Sequence, residues 1–217
     1  MAEKHESVPP PLIVRIMEKL VVDQNLYLAS QSPRRQELLE QIGVRFELLK
    51  VSVPEKRRPE EAPSDYVSRL SKEKALAGAL IKPECWVMGA DTIVVSGGQV
   101  LEKPADKDDF LSMFATLSGG IHSVFTSIAL CRKSGQSDNV YQQSCETKVQ
   151  FREIDEAEAI RYWETGEPLD KAGGYGIQGF GAVFVERIEG SYSNVVGLPL
   201  QESAKLLVVA GVPIWSV

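Results

Sequence analysis

Arg34 and Arg35 follow Ser32 and Pro33, a cap-and-proline pair that opens a helix whose inward face is Leu38, Leu39 and Ile42. The positive end of a helix dipole is a poor place for cations unless an anion is there too. Free backbone N–H groups, the serine-rich turn from Ser30 to Ser32 and two guanidinium forks would together make a phosphate-binding corner. An ordinary capped helix with two solvated arginines fits the same residues. Asp91 stands in the apolar run of residues 85–95, where a carboxylate is costly to bury without a partner. A metal ion or a lysine would make it tolerable; backbone donors would too, in a purely structural role. The return strand Val100-Leu101-Glu102-Lys103-Pro104 should place Lys103, and with it Glu102, near Asp91. A carboxylate facing a lysine across paired strands suits a metal-and-phosphate site. The glycine-rich run of residues 172–181 follows Lys171 and contains Gln178. These supply a charged donor and an amide that offers both a donor and an acceptor. Glu55 sits in a charged loop, where alone it reads as a solvated carboxylate. Lys74, on or beside the polar side of its helix, reads alone as a surface lysine.

The elements that must position these residues follow from apolar spacing and punctuation. Residues 25–29 read as a buried strand and residues 33–42 as a helix stopped by Gly43. Residues 46–53 read as a second strand, followed by a proline-marked loop and a long helix over residues 63–81. Residues 85–95 form the expected centre of the sheet, turned at Gly97-Gly98. A helix over residues 106–117 is capped by Asp106. Two long strands, 121–132 and 140–152, flank a polar loop. A helix over residues 155–165 opens with an Asp155–Glu158 capping box. A strand over 181–188, a turn over 190–194 and a helix over 199–209, ended by Gly211, complete the chain. This order predicts a mixed sheet with helices packed on it, of the α/β or α+β class. Residues 1–24 stand apart as an extension: a tail ending in Pro9-Pro10-Pro11, then an amphipathic stretch with Leu12, Ile13, Ile16, Met17 and Leu20 on one face. That stretch is read as a helix packed on its own body or as a subunit contact. Residues 25–217 read as one domain.

Composition excludes several classes of activity. A net charge of −6 over 217 residues argues against gripping nucleic acid by bulk electrostatics. The charges interrupting residues 12–23 rule out both a secretory signal and a membrane span there. Three cysteines without metal-ligand spacing suggest free thiols in a reducing cytosol. Only two histidines are present, and His5 lies in the N-terminal tail. His122, at the start of a strand, is expected to be structural or near the edge of the site. Carboxylates and a hard metal ion would therefore have to carry any hydrolytic chemistry.

The run LASQSPRRQELL at residues 28–39 resembles the Maf family of nucleoside triphosphate pyrophosphatases. The likeness continues, in family order, through Gly89-Ala90-Asp91-Thr92, Glu102-Lys103-Pro104, Leu117-Ser118-Gly119, residues 170–179 and Val196-Gly197-Leu198-Pro199-Leu200. It implies two α/β lobes around a central mixed sheet with a deep cleft, as in the inosine triphosphate pyrophosphatases, and a homodimer in the cytoplasm. It implies hydrolysis between the α and β phosphates, with Mg²⁺ or Mn²⁺ held by Asp91 and Glu55. The family's acidic pair near residue 54 is here Pro54-Glu55, so only Glu55 can stand in. Asp91 and Lys103 would be catalytic; Ser30, Arg34, Lys74, Thr92, Lys171 and Gln178 would bind substrate. Positions matching Arg34, Thr92 and Gln178 are linked with substrate choice. Glutamine at 178 resembles the dTTP and UTP branch, its amide answering the imide face of uracil or thymine. A sister branch acting on 7-methyl-GTP carries an acidic residue there. The contrasting reading, a nucleotide-dependent regulator or nucleic-acid-binding protein without turnover, conflicts with the presence of Asp91 and Lys103 and with the missing basic surplus.

Overall fold

The computed structural model of the protein describes residues 26–135 and 137–216. The extension of residues 1–24, with the helix expected in it, lies outside the described residues. The sheet is built on β3 (Trp86–Ser96), which is buried almost throughout, as a strand covered on both faces must be. Before it come β1 (Leu26–Leu28), α1 (Pro33–Gln41), β2 (Glu47–Leu48) and α2 (Pro63–Ile81). After it come β4 (Gln99–Leu101), α3 (Lys107–Leu117), β5 (Ile121–Ser134), β6 (Ser137–Phe151) and α4 (Glu156–Glu164). The chain closes with β7 (Val185–Glu189), α5 (Tyr192–Val196) and α6 (Leu200–Val209). The sheet has seven strands in the order β2-β1-β3-β5-β6-β7, with β4 paired to β3 beside that path. β1 runs parallel to β2 and β3, and the other pairings are antiparallel.

The register of β3 explains where a site can form. β5 accompanies it along one edge from Val87 to Val95. On the other edge β1 pairs only with Trp86 to Met88, and β4 only with Val94 to Ser96. Among the described residues, no strand pairs with residues 89–93 on that side. β1 runs parallel and β4 antiparallel to β3, so the chain leaving each strand emerges over this gap. Ser30 arrives from one direction, Glu102 and Lys103 from the other. Such a split in an open sheet is where ligands are received.

Alternation along β3 then sorts its side chains. Met88 and Ala90 pack with Leu26, Leu28, Ile128 and Leu130 against Leu38 and Leu39 of α1 and Leu206 and Leu207 of α6. Val87 points the other way, with Tyr27 and Ala129, onto Ala75 and Ala79 of α2. Asp91 shares the α2 face and Thr92 the α1 face. Farther along, Val94, Val124, Val149 and Phe151 meet Phe110 and Phe114 of α3 and Tyr162 of α4 in an aromatic cluster.

The mixed α/β class and the element order agree with the sequence reading; several boundaries do not. Only Glu47 and Leu48 pair as β2, because β1 beside it is itself three residues long. β5 and β6 pair as far as Ser134 and Ser137, so most of the expected polar loop is strand. Residues 181–184 belong to a 3-10 turn (Phe180–Phe184), and β7 starts only at Val185. The expected turn over 190–194 is instead the start of α5, capped by the Ser191 hydroxyl, which accepts from the Asn194 N–H. Ser32 occupies the N-cap position of α1 without a side-chain capping bond. Asp155 accepts from the Glu158 N–H at 2.7 Å, but the Glu158 carboxylate pairs with Arg152, so the capping box is one-sided.

Candidate active site

A pocket of about 450 Å³ opens at the gap in the sheet edge. Every site residue singled out from the sequence lines it: Ser30, Arg34, Glu55, Lys74, Asp91, Thr92, Lys103, Lys171 and Gln178.

Asp91 is 8% exposed and faces α2, as strand alternation requires. Its Oδ1 accepts from Lys74 Nζ at 2.7 Å. The same ammonium stands 2.7 Å from Glu55 Oε1. Lys74 can reach because α2 lies very close to β3 at Gly89. A Cβ there would meet the Ser71 carbonyl oxygen at 2.3 Å and the Ala75 nitrogen at 2.5 Å. Lys74 is thus not a surface lysine; its side chain is 12% exposed and bridges two carboxylates. The β3–β4 ladder ends at Leu101, and the ammonium on Asp91 comes from Lys74. Lys103 lines the same pocket and acts on Glu55 and Glu102 through its charge.

The electrostatics of these carboxylates are opposed. Burial raises the Asp91 pKa, and Lys74 and Arg35 only partly offset it. Burial also works to raise Glu55, but its hydrogen bond and charge contact with Lys74, with Lys103 and Arg35 behind, hold it below the usual range. Glu102 is raised, first by burial and then by the negative charges of Asp91 and Glu55. Asp91 and Glu55 share the Lys74 ammonium, and Glu102 lines the same pocket; carboxylate oxygens are the donors a hard cation takes. Among the described residues no group of three or more carboxylate, histidine or cysteine side chains is arranged to hold a metal ion alone. Asp91 and Glu55 could give one or two carboxylates to an ion that takes its other oxygens from phosphate and water.

The loop carrying Glu55 is clasped to the helix carrying Lys74. Arg69 donates to Glu61 Oε1 at 2.6 Å and Oε2 at 2.8 Å, to Glu73 Oε2 at 3.1 Å and to the Lys56 carbonyl at 3.1 Å. The Tyr66 hydroxyl donates to the Glu55 carbonyl at 3.2 Å.

On the opposite face Arg35, one of the two guanidinium forks at the start of α1, is held by protein partners. Its Nε donates to the Gly197 carbonyl at 2.8 Å, Nη1 to Ser30 Oγ at 3.1 Å and Nη2 to Thr92 Oγ1 at 3.0 Å. Burial and the neighbouring Arg34 lower its pKa, and Asp91 works against them. Thr92 Oγ1 lies 2.9 Å from Thr126 Oγ1, its cross-strand partner. The inward direction of Arg35 has a sequence basis: it stands three, four and seven residues before Leu38, Leu39 and Ile42, on the inward stripe of α1. Arg34 lies off that stripe and pairs with Asp170 at 3.3 Å. Lys171 Nζ donates to Asp170 Oδ1 at 2.6 Å and the Glu167 carbonyl at 2.8 Å. His122 takes no part; it is buried, with Nε2 2.9 Å from the Tyr175 hydroxyl.

An acidic chain has thus gathered Arg34, Arg35, Lys74, Lys103 and Lys171 around one pocket that the carboxylates of Glu55, Asp91 and Glu102 also line. This arrangement can hold a polyanion and remove a proton from water beside it.

Comparison with known proteins gives the chain a family. The family model described as "Maf-like protein" matches residues 25–210. A protein of Saccharophagus degradans named "dTTP/UTP pyrophosphatase" is 52% identical over 195 residues, covering 88% of this chain and 91% of its own. One of the same name from Vibrio cholerae is 53% identical over 184 residues, covering 84% of this chain and 96% of its own. Another, from Hahella chejuensis, is 48% identical over 196 residues, covering 89% and 96%. The chain belongs to the family of Maf-like proteins.

Proposed function

We propose that the protein hydrolyses dTTP and UTP to the nucleoside monophosphate and pyrophosphate, with modified pyrimidine nucleotides as further substrates. The observation that carries this reading is the Asp91–Lys74–Glu55 group on the floor of a pocket walled by arginine and lysine. The names of relatives about half identical over most of the chain support the choice of substrate.

In this reading Arg34, Lys103 and Lys171 neutralise the triphosphate, with the N-terminus of α1 and Ser30 closing around it. Arg35 holds Ser30, Thr92 and the Gly197 turn in one frame. Asp91 accepts a proton from the attacking water as its oxygen bonds to the α phosphorus. The bond from that phosphorus to the α–β bridging oxygen breaks, and pyrophosphate leaves. Lys74 works against the burial that raises the Asp91 pKa, and the surrounding cations stabilise charge on the departing pyrophosphate. Asp91 and Glu55 would hold Mg²⁺ or Mn²⁺, with Glu102 nearby. When bound, the ion supplies neutralisation and polarisation of phosphate oxygens. Gln178 meets the base edge.

The resemblance also supports a homodimer, a cleft between two lobes and a role in cytoplasmic nucleotide-pool sanitation. Among the described residues no helix is long and apolar enough to cross a membrane.

The test is a product assay on a panel of canonical and modified triphosphates, with Mg²⁺, Mn²⁺ or EDTA. Pyrophosphate from dTTP and UTP, abolished by EDTA, is the expected result. Activity on 7-methyl-GTP alone would overturn the role given to Gln178. Orthophosphate as first product would overturn the cleavage position, and binding without turnover would overturn the enzyme.

A further inference from the structure

Glu167 opens the 3-10 turn Glu167–Asp170 after α4 and is not among the residues that line the pocket. Its carboxylate is nevertheless the most heavily used acceptor beside the glycine-rich loop. Oε2 accepts from the Phe180 N–H at 2.8 Å. Oε1 accepts from the Gly181 N–H at 3.0 Å and from the Tyr162 hydroxyl at 2.8 Å. The Tyr162 oxygen in turn accepts from the Gly176 N–H at 3.2 Å. The loop from Gly176 to Gly181 is therefore tied at both ends to one carboxylate, directly at one end and through Tyr162 at the other. Gln178 is carried between the two ties. The loop lies on that carboxylate so closely that a Cβ on Gly179 would meet Glu167 Oε2 at 2.1 Å. Glu167 also reaches the phosphate side of the pocket, since its carbonyl accepts from Lys171 Nζ at 2.8 Å.

We propose that Glu167 is a positioning residue for base selection: through its bonds to Phe180, Gly181 and Tyr162 it fixes the loop that presents the Gln178 amide. This rests on the reading of Gln178 as the group that meets the base. The physical reason is that an amide carries both a donor and an acceptor, so a loosely held glutamine can turn to answer either uracil or cytosine. Discrimination between them depends on how firmly the residue is held. A site that must be ordered during binding loses affinity and selectivity before it loses the chemical step. In Glu167→Gln the new NH₂ faces an N–H donor from Phe180 or Gly181, and the charge-assisted bonds are lost.

The test compares kcat and KM for UTP and CTP in wild type, Glu167→Gln, Tyr162→Phe and Gln178→Ala, with the thermal midpoint of each. For Glu167→Gln the account expects KM for UTP to rise about tenfold, the size of one lost charged hydrogen bond, with kcat within about threefold. The UTP-over-CTP ratio should fall toward that of Gln178→Ala. Tyr162→Phe, which keeps the core ring and removes one tie, should move the ratio the same way by less. If Gln178→Ala loses the ratio while Glu167→Gln keeps it, this inference is overturned and the role of Gln178 stands. If Gln178→Ala keeps the ratio, base recognition by Gln178 falls and this inference with it. Should Glu167→Gln not fold, Tyr162→Phe decides, and an unchanged ratio overturns the inference.

Discussion

Arg35 Nη2 donates to Thr92 Oγ1 at 3.0 Å, joining the first turn of α1 to the middle of β3. Nε and Nη1 of the same guanidinium reach Gly197 and Ser30, so three chain segments meet on one rigid fork. A lysine keeps the charge but cannot reproduce the fork. Arg35→Lys should lower stability by about 1–3 kcal/mol and kcat/KM for UTP by at least about tenfold. Urea unfolding and steady-state kinetics on the same preparation check both. Unchanged kinetics with lowered stability would make Arg35 purely structural.

Gly89 is the contact that brings α2 onto β3. Because an added Cβ would lie 2.3 Å from the Ser71 carbonyl oxygen, Gly89→Ala must push the helix outward. Overpacking of this kind costs about 1–3 kcal/mol. Lys74 rides on α2, so turnover should fall by more than the unfolded fraction explains. Activity measured well below the melting midpoint separates the two effects.

His122 gives a pH dependence of stability. Burial lowers its pKa from the ordinary 6.5 to about 4. Between those values the unfolded chain binds more protons than the native one, so stability rises with pH. The contribution is complete above about pH 6.5 and is lost as pH falls toward 4. Its full size is at most about 3 kcal/mol. Unfolding free energies at pH 7.5 and 5 should differ more in wild type than in His122→Gln. Equal differences would show that His122 does not titrate on unfolding.

Much of this fold was legible because its signals are local. The apolar run of β3, the turn at Gly97-Gly98 and the Asp106 cap all act within a few residues, and the structure carries each of them. Asp91 could be picked out because a carboxylate inside an apolar strand needs a partner. Which partner it has could not be read, since Lys74 reaches it through the packing of α2 at Gly89, a tertiary contact. Hairpin logic pointed to Lys103, which lines the same pocket, while the hydrogen bond to Asp91 comes from Lys74. Arg35 was legible in principle from the helix stripe, yet its three partners come from distant or turn segments. The role of Glu167 had no sequence signal, because its partners are mostly backbone N–H groups.

The central claim is that Asp91 takes the proton of the attacking water. The most direct measurement is pyrophosphate release from UTP by wild type and Asp91→Asn, each shown to be folded, at saturating substrate and metal. Loss of a positioned base should lower kcat by about 10²–10⁴-fold, with UTP binding retained. A kcat for Asp91→Asn within about threefold of wild type would contradict the account.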